Sequence, residues 1–291
     1  MLLPLRIALL AGLALGDGGA SSSPASRPAG AALVSRPVVI GASASAGFRL
    51  SDPSAPLLGD AIDRLIAARH DRVATFASSL FFLSPSKTGK EQVDRAARVK
   101  PSVVFALDYL FWFLYGFFEK EEDRLVLLDK GLANLARLEA PVVVAEIPDM
   151  APSIGKMLDR KQVPSAETID DANRRIRAWA AERPGVTVVA LPQFLQRLRS
   201  GKRLEIRGNV WREGSTKALL QRDDLHPTLE GTVALALLAL DALANAHAEL
   251  KEGSLRWEAS AAVAELQSAE SPPESAPSED EGAPASRAAD R

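Results

Sequence analysis

The segment Arg36-Pro-Val-Val-Ile-Gly-Ala-Ser-Ala-Ser-Ala-Gly47 is the starting point for inferring the fold. Its apolar run at residues 38–40 is short and β-branched at every position, which favours a buried strand. Gly, Ala and Ser fill the seven positions that follow, and such small residues favour a tight turn. The sequence therefore predicts a strand that ends at Gly41 and delivers a loop bearing Ser43 and Ser45.

Strands and helices alternate from this segment to about residue 246. The predicted strands cover residues 38–40, 72–76, 102–107, 141–147 and 186–191. The predicted helices cover residues 60–68, 91–99, 121–138, 168–182 and 228–246, and Thr168 with Asp171 resembles a capping box. Continuous apolar strands between amphipathic helices predict an α/β fold with a parallel sheet covered on both faces.

The two ends of the chain differ in composition from this alternating region. Residues 1–20 carry Arg6, an apolar run and a small-residue end, which predicts a signal peptide and an exported protein, periplasmic or secreted. Residues 21–35 are rich in Ser, Ala, Pro and Gly and predict a flexible linker. Residues 36–250 form the predicted domain, and residues 251–291 are expected to hold a short helix and an acidic disordered tail.

The composition excludes several classes of function. The net charge is −2, so no basic surplus indicates a nucleic acid partner. Cysteine is absent, which excludes disulfides, thiolate zinc sites, iron–sulfur clusters and cysteine nucleophiles. The chain has only three histidines, so we predict no metal and no cofactor.

The loop at residues 41–47 has three possible interpretations. A dinucleotide-binding fingerprint requires glycines at a different spacing. A P-loop requires four residues between its glycines and then Lys with Ser or Thr, whereas five residues intervene here and Phe48 follows. The remaining interpretation is a serine displayed on a tight turn, where backbone N–H groups can face an anion. Small residues also suit any tight turn, so this pattern needs its structural context.

The segment Asp223-Asp-Leu-His226-Pro227 lies in a polar loop before the last predicted helix. A general base is a group held in one tautomer by an acceptor on its far nitrogen. Asp223 lies three residues before His226 and is placed to fold back onto the imidazole. The alternative is that the two aspartates cap the helix and leave His226 on the surface. His70 and His247 end predicted helices and suggest no chemistry.

These two segments resemble motifs of the SGNH (GDSL-type) hydrolases. In that family a Gly-Asp-Ser segment after the first strand bears the nucleophile, and Asp-x-x-His-Pro near the end bears the acid and the base. The resemblance spans about residues 37–246 and includes Asn173 in its helix. It implies a flavodoxin-like three-layer α/β/α sandwich and a catalytic set of Ser43, His226 and Asp223.

The chain departs from the family pattern at three places. Ala42 replaces the usual Asp before the serine. Residues 76–79 offer no Gly for the oxyanion hole, which leaves Ser78 in that region. Asp108 stands where the family's third block has an Asn, and an ionised carboxylate accepts hydrogen bonds but donates none. Asp108 is therefore protonated, or it points elsewhere, or the reaction is unusual.

An aromatic stretch at residues 109–118 follows Asp108. It is consistent with an apolar wall for an acyl chain, with a buried helix or lid, or with contact to a membrane or a partner. Glu146 and Asp149 also follow a predicted strand, where they could bind a cation or substrate hydroxyls or could cap the next helix.

Two classes of function agree with these residues. The first is an exported serine hydrolase that cleaves a carboxylic ester or an O-acetyl group of a small molecule, a carbohydrate or a lipid. An acyltransferase would use the same three residues. The second is a binding or scaffold protein that kept the fold. The Gly missing from residues 76–79 and the Asn replaced by Asp108 favour this class. The two classes differ in whether Ser43 and His226 meet beside an open space.

Overall fold

The computed structural model describes residues 29–48, 56–250 and 253–270. The predicted signal peptide, residues 21–28 of the linker and residues 271–291 of the tail lie outside these ranges. The strands are β1 Pro37–Val39, β2 Ala74–Thr75, β3 Val103–Ala106, β4 Val142–Ala145, β5 Val186–Val189, β6 Leu204–Ile206 and β7 Asn209–Trp211. The helices are α1 Ala29–Leu33, α2 Leu58–Leu65, α3 Pro85–Arg98, α4 Phe111–Leu114, α5 Glu121–Leu135, α6 Ala166–Ala181, α7 Leu191–Ser200, α8 Leu229–Ala246 and α9 Ala259–Glu270.

The first five strands form one parallel sheet in the order β2-β1-β3-β4-β5. The sequence is apolar along β1, β3 and β4, and all of their residues are buried, as a sheet covered on both faces requires. The order is the flavodoxin-like one that the resemblance to SGNH hydrolases implied, so the predicted three-layer α/β fold is confirmed.

The helices form two layers around this sheet. Helices α2, α8 and α9 pack together on one face, and α3, α4, α5 and α6 pack together on the other. The chain runs outward from β1 to β2 and then returns to β3 on the opposite side of β1. Ligands of doubly wound sheets bind at such a reversal, beyond the carboxyl ends of the strands. The loops after β1 and β3, which carry Ser43 and Asp108, lie at this position.

Three local predictions were wrong. The capping box at Thr168 is absent, because Ser165 caps α6 and its hydroxyl accepts the Thr168 N–H at 3.1 Å. Helix α3 begins at Pro85 rather than residue 91, since proline suits the first turn of a helix. The strand predicted to reach residue 191 ends at Val189, and α7 begins at Leu191 with Pro192 in its first turn.

Helix α8 is long and apolar enough to cross a membrane by length and composition. In this structure 61% of it is buried, and it packs against β5 of the sheet and against α2. A core helix passes the same length and composition test, and the burial of α8 is what a core helix shows.

Candidate active site

A buried glutamine holds the first residue of the loop after β1. Gln92 in α3 accepts the Gly41 N–H at 2.8 Å and donates to the Gly41 carbonyl at 2.9 Å. The Ser78 N–H also donates to this carbonyl, at 3.1 Å. Both polar groups of Gly41 are thus paired, so the loop leaves the strand in a fixed direction. A polar residue on the buried face of α3 was the sequence signal that could have revealed this role.

Asp108, which follows β3, directs both carboxylate oxygens into the same loop. Its Oδ1 accepts the Ala42 N–H at 2.9 Å and the Ser45 hydroxyl at 2.6 Å. Its Oδ2 accepts the N–H groups of Ala44 at 2.9 Å and Ser45 at 3.1 Å. Of the three alternatives drawn from the sequence, the structure supports the one in which Asp108 points elsewhere. Its placement as an oxyanion group is corrected accordingly: Asp108 anchors the loop.

Position 41 is glycine because the Asp108 carboxylate comes very close to it. A Cβ atom on Gly41 would lie 2.1 Å from Asp108 Oδ1 and 2.7 Å from Ser45 Oγ. Real Cβ atoms do not approach so closely, so a larger residue at this position would displace the carboxylate from the loop.

Ser43, His226 and Asp223 form a continuous hydrogen-bonded series. The Ser43 Oγ and His226 Nε2 atoms are 2.9 Å apart, and His226 Nδ1 is 2.7 Å from Asp223 Oδ2. Ser45, the other serine of the loop, is fully buried and bonded to Asp108. The structure therefore brings together the three residues that the resemblance singled out, and it separates Ser43 from its neighbour. A hydroxyl, a base and an orienting carboxylate in this order can generate a nucleophile.

The turn before α8 holds Asp223 against the imidazole. Asp223 Oδ1 accepts the N–H groups of Leu225 at 2.9 Å and His226 at 3.0 Å. Burial alone raises the pKa of the Asp223 carboxyl, but the hydrogen bonds from the His226 ring and from these two N–H groups outweigh it. The pKa of Asp223 therefore lies below its usual range, and the carboxylate stays charged beside the ring.

The alternative of helix-capping aspartates and a surface histidine does not describe this turn. Thr228 is the N-cap of α8 and its hydroxyl accepts the Gly231 N–H at 3.3 Å. His226 is only 3% exposed. Asp224 adopts a positive φ of 55° and pairs with Lys156 at the surface. The left-handed backbone at Asp224 lets the turn fold Asp223 inward.

Two further side chains support the histidine. The Phe48 ring packs on the imidazole of His226 with their centroids 4.5 Å apart. Arg199 in α7 donates to the carbonyl of Asp224 at 3.0 Å and to that of Asp149 at 2.6 Å. Arg199 thus joins the turn before α8 to the loop after β4. Neither contact was predicted, because no local pattern marks these residues.

Ser78, which the sequence placed in the oxyanion region, bonds to the backbone of neighbouring residues. Its N–H donates to Gly41, and its hydroxyl accepts the Leu80 N–H at 3.2 Å, so both groups serve the loop itself. Ser79, the next residue, lines the groove beside Ser43 and His226. The structure therefore places Ser79, and not Ser78, in the lining of this groove, and the assignment of Ser78 to the oxyanion region stays a prediction.

Two cavities border Ser43 and His226. An open groove of about 300 Å³ is lined on its apolar side by Phe48, Phe82 and Trp112. A more enclosed cavity of about 60 Å³ extends beneath the loops after β3 and β4. The space beside Ser43 is therefore available to a ligand and is not filled by side chains.

The aromatic stretch at residues 109–118 is mostly a packing element. Tyr109, Phe113 and Tyr115 are at most 1% exposed, and Phe117 is the one large exposed member at 69%. The predicted membrane contact through this stretch is therefore not supported. Trp112 and Phe111 each line one of the two cavities, so the interpretation as an apolar wall holds for these two residues.

The loop after β4 is fixed by a second amide side chain. Asn173 in α6 accepts the Ile147 N–H at 2.7 Å and donates to the Ile147 carbonyl at 2.9 Å. Asp149 accepts the Ala151 N–H at 2.8 Å, as a capping residue does. Glu146 pairs with Arg177 and forms part of the enclosed cavity wall.

The other histidines lie in separate local contacts. His70 bonds to Asp63 and to the Ala68 carbonyl, and His247 pairs with Glu249. Within residues 29–48, 56–250 and 253–270, no group of three or more His, Cys, Asp or Glu side chains is arranged to hold a metal ion.

No protein-family model matches the chain, and no curated protein matches it. Solved structures are similar to it. TesA is 20% identical, with 72% of this chain and 99% of that chain covered and a TM-score of 0.42. The lipase/acylhydrolase from Enterococcus faecalis is 16% identical, with 72% and 95% covered and a TM-score of 0.46. A mutant of Axe2, an acetylxylan esterase from Geobacillus stearothermophilus, is 14% identical, with 77% and 97% covered and a TM-score of 0.46. At these identities the likeness concerns the arrangement of strands and helices, and the chemistry must be argued from this chain's residues.

Proposed function

We propose that this protein is a serine hydrolase that cleaves an ester, either a carboxylic ester or an O-acetyl group. The observation that carries the proposal is the hydrogen-bonded series from Ser43 Oγ through the His226 ring to Asp223, with distances of 2.9 and 2.7 Å. The cavities beside Ser43 support an enzyme over a scaffold protein, since the scaffold alternative expects side chains to fill that space.

In the first half of the reaction Ser43 attacks the ester carbonyl. The Oγ atom forms a bond to the carbonyl carbon while its proton passes to His226 Nε2. Asp223 keeps the Nδ1–H of the ring directed toward itself and stabilises the imidazolium. His226 then gives the proton to the leaving oxygen, the alcohol departs, and an acyl group remains on Ser43.

In the second half a water molecule replaces the alcohol. His226 takes a proton from the water as its oxygen attacks the acyl carbon, and the proton returns to Ser43 Oγ as the acid leaves. The negative charge on the carbonyl oxygen requires nearby donors. Within the described residues the Ser43 N–H donates to no protein group, so it is free to serve as one donor.

Labelling with a fluorophosphonate probe tests the proposal. Wild type should be labelled and Ser43→Ala should not, because the probe reacts with an activated serine hydroxyl. Ser78→Ala is the matched control, since this serine lies in the neighbouring loop and its N–H contact to Gly41 survives the substitution. Equal labelling of Ser43→Ala and wild type would reject Ser43 as the nucleophile. Product analysis with an added alcohol then separates hydrolysis from acyl transfer.

We also propose that the protein is exported, on the pattern of residues 1–20. Expression of the full chain in a bacterium, followed by N-terminal sequencing, tests this. A mature protein outside the cytoplasm that begins near residue 21 supports export. An uncleaved chain that stays in the cytoplasm contradicts it.

A further inference from the structure

The enclosed cavity beside Ser43 is apolar over most of its wall. Six of its apolar side chains are Leu107, Phe111, Ile147, Met150, Leu191 and Leu195. Its volume of about 60 Å³ is small, since one water needs at least about 10–15 Å³ on this kind of measure. The cavity is therefore of a size that suits a short acyl group of a few heavy atoms.

Two carboxylates, Asp108 and Glu146, interrupt this apolar wall. Val39, Phe105 and Val143 are paired across β1, β3 and β4. Three residues beyond each pair lie Ala42, Asp108 and Glu146. Strands are about 4.8 Å apart, so Glu146 lies two strand spacings from the serine loop. Ser43 and Glu146 both line this cavity, so an acyl group bound to Ser43 and lying in the cavity shares that space with the Glu146 side chain.

Glu146 differs from Asp108 in having unused acceptor capacity. Its side chain is 7% exposed, and Arg177 donates to Oε1. Among the described residues no group donates a hydrogen bond to Glu146 Oε2, whereas both oxygens of Asp108 are occupied. Glu146 Oε2 is not among the fully buried side-chain atoms of the described residues that lack a hydrogen-bond partner, so it is accessible from the cavity and can accept a hydrogen bond from a ligand. Arg177 already balances the charge of Glu146, so a neutral donor such as a hydroxyl suits Oε2.

We propose that the enclosed cavity binds the acyl group of the substrate and that Glu146 selects short acyl groups bearing a hydroxyl. The proposal rests on the serine-hydrolase function proposed above. Glu146 acts as a specificity-determining residue: its Oε2 accepts the hydroxyl hydrogen bond while the apolar wall encloses the carbon chain. An acyl group with a methyl in place of the hydroxyl leaves Oε2 unpaired and is disfavoured.

The test compares p-nitrophenyl esters that share one leaving group. The acyl groups are butyrate, 2- and 3-hydroxybutyrate, and the methyl analogues 2- and 3-methylbutyrate. For at least one hydroxyl position, wild type should favour the hydroxy ester over its methyl analogue by about 10–100-fold in kcat/KM. Glu146→Met should bring that ratio near one while butyrate hydrolysis continues.

Two variants separate recognition from structural support. Arg177→Met breaks the ion pair but leaves the Glu146 oxygens in place, so the hydroxyl preference should survive. Glu146→Gln keeps the shape of the side chain and decides the question if Glu146→Met does not fold, with a reduced ratio expected. Wild type that prefers neither hydroxy ester, or a preference that persists in both Glu146 variants, overturns the proposal.

The outcome also distinguishes this inference from the proposed function. Normal fluorophosphonate labelling and butyrate hydrolysis without a hydroxyl preference reject only the role of Glu146. Absence of labelling and of hydrolysis of every ester rejects both.

Discussion

Asp108 shows how a carboxylate can lie next to the proposed nucleophile without facing it. A negative group facing a developing oxyanion raises the barrier. Here three N–H groups and one hydroxyl surround the two oxygens, so the charge is directed into the loop that presents Ser43. The sequence placed Asp108 near the site correctly. It did not give the direction of the side chain, because that depends on how tightly the loop after β1 turns.

Asp108→Asn should lower both stability and activity. The new NH₂ group must face at least one N–H donor that the carboxylate now accepts, so we expect unfolding to become easier by about 1–3 kcal/mol. The loosened loop should cost about 10–100-fold in kcat/KM, because misplacing a nucleophile by about 1 Å has effects of that size. Thermal unfolding and ester hydrolysis measure both. Asp149→Asn is the control. Comparable losses of stability and activity in that variant would show that the effect of Asp108→Asn does not come from the contacts of Asp108 with the loop after β1.

Asp223 should make stability depend on acid. Its folded pKa is lowered, so the unfolded chain binds a proton first as the pH falls. The stabilising contribution is fully present above the ordinary aspartate pKa of about 3.9 and is lost as the pH falls through the lower folded value. Melting temperatures of wild type and Asp223→Asn, measured from pH 7 down to pH 3, should therefore converge at the acid end. A constant difference between them over this range contradicts the assignment.

Among the helices, α3 and α6 each contribute one buried amide that fixes the exit of a strand. Gln92 pairs with both polar groups of Gly41, and Asn173 pairs with both polar groups of Ile147. The two contacts act on different loops: the first holds the loop that bears Ser43, and the second holds Ile147 in the wall of the enclosed cavity.

Removing either amide should lower the free energy of unfolding by a similar amount, but only the loss of Gln92 should slow the reaction at Ser43. Gln92→Met and Asn173→Leu each leave a buried N–H without its acceptor, so each should cost about 1–3 kcal/mol in unfolding free energy. Fluorophosphonate labelling should slow about 10-fold in Gln92→Met, because the loop bearing Ser43 loses its anchor. In Asn173→Leu it should stay near the wild-type rate. The opposite ranking of labelling rates contradicts this division of roles.

The alternation of strands and helices was predictable because burial on both faces of the sheet leaves continuous apolar runs. Their ends were less predictable. Ser165 rather than Thr168 caps α6, and the apolar residue Leu191 starts α7 instead of ending β5. Pro164 lies next to the N-cap Ser165, and Pro192 lies next to Leu191. Because proline is compatible both with the end of a strand and with the first turn of a helix, the sequence did not show which element the neighbouring residue belongs to.

On the scale of the whole molecule, the packing contact between the start of α8 and the segment Ser215–Leu219 positions His226. A Cβ on Gly231 would lie 1.9 Å from the Leu219 carbonyl oxygen. That same oxygen accepts the Thr228 N–H at 3.0 Å, two residues after His226. The start of α8, the turn that bears His226 and the backbone behind it are therefore packed without spare space.

Gly231→Ala should destabilise the protein even though alanine favours helices by about 1 kcal/mol. The clash with backbone should outweigh propensity and cost about 1–3 kcal/mol net, and hydrolysis should fall because the turn bearing His226 shifts. Gly185→Ala is the matched control, since the nearest atom to its added Cβ is 3.6 Å away. A Gly231→Ala variant with a higher melting temperature than wild type would contradict the tight contact between Gly231 and the Leu219 carbonyl.

The site as a whole was partly predictable. The contact between Ser43 and His226 was predicted by placing both loops at the carboxyl edge of one sheet. The contact between Asp223 and His226 was predicted from their separation of three residues within one turn. The supporting contacts of Phe48 and Arg199 were not predictable, because they join segments far apart in sequence whose proximity appears only in the assembled fold.

Ser43 and His226 are separated by 183 positions along the chain. During synthesis Ser43 leaves the ribosome long before His226 has been translated, so a nascent chain holds a serine with ordinary alcohol reactivity. The proposed hydrolytic activity can therefore arise only after α8 has been made and has docked, so the appearance of turnover would report completion of folding. Fragments that are released early, or that are cut between these two loops and then separated, are expected to hydrolyse no ester.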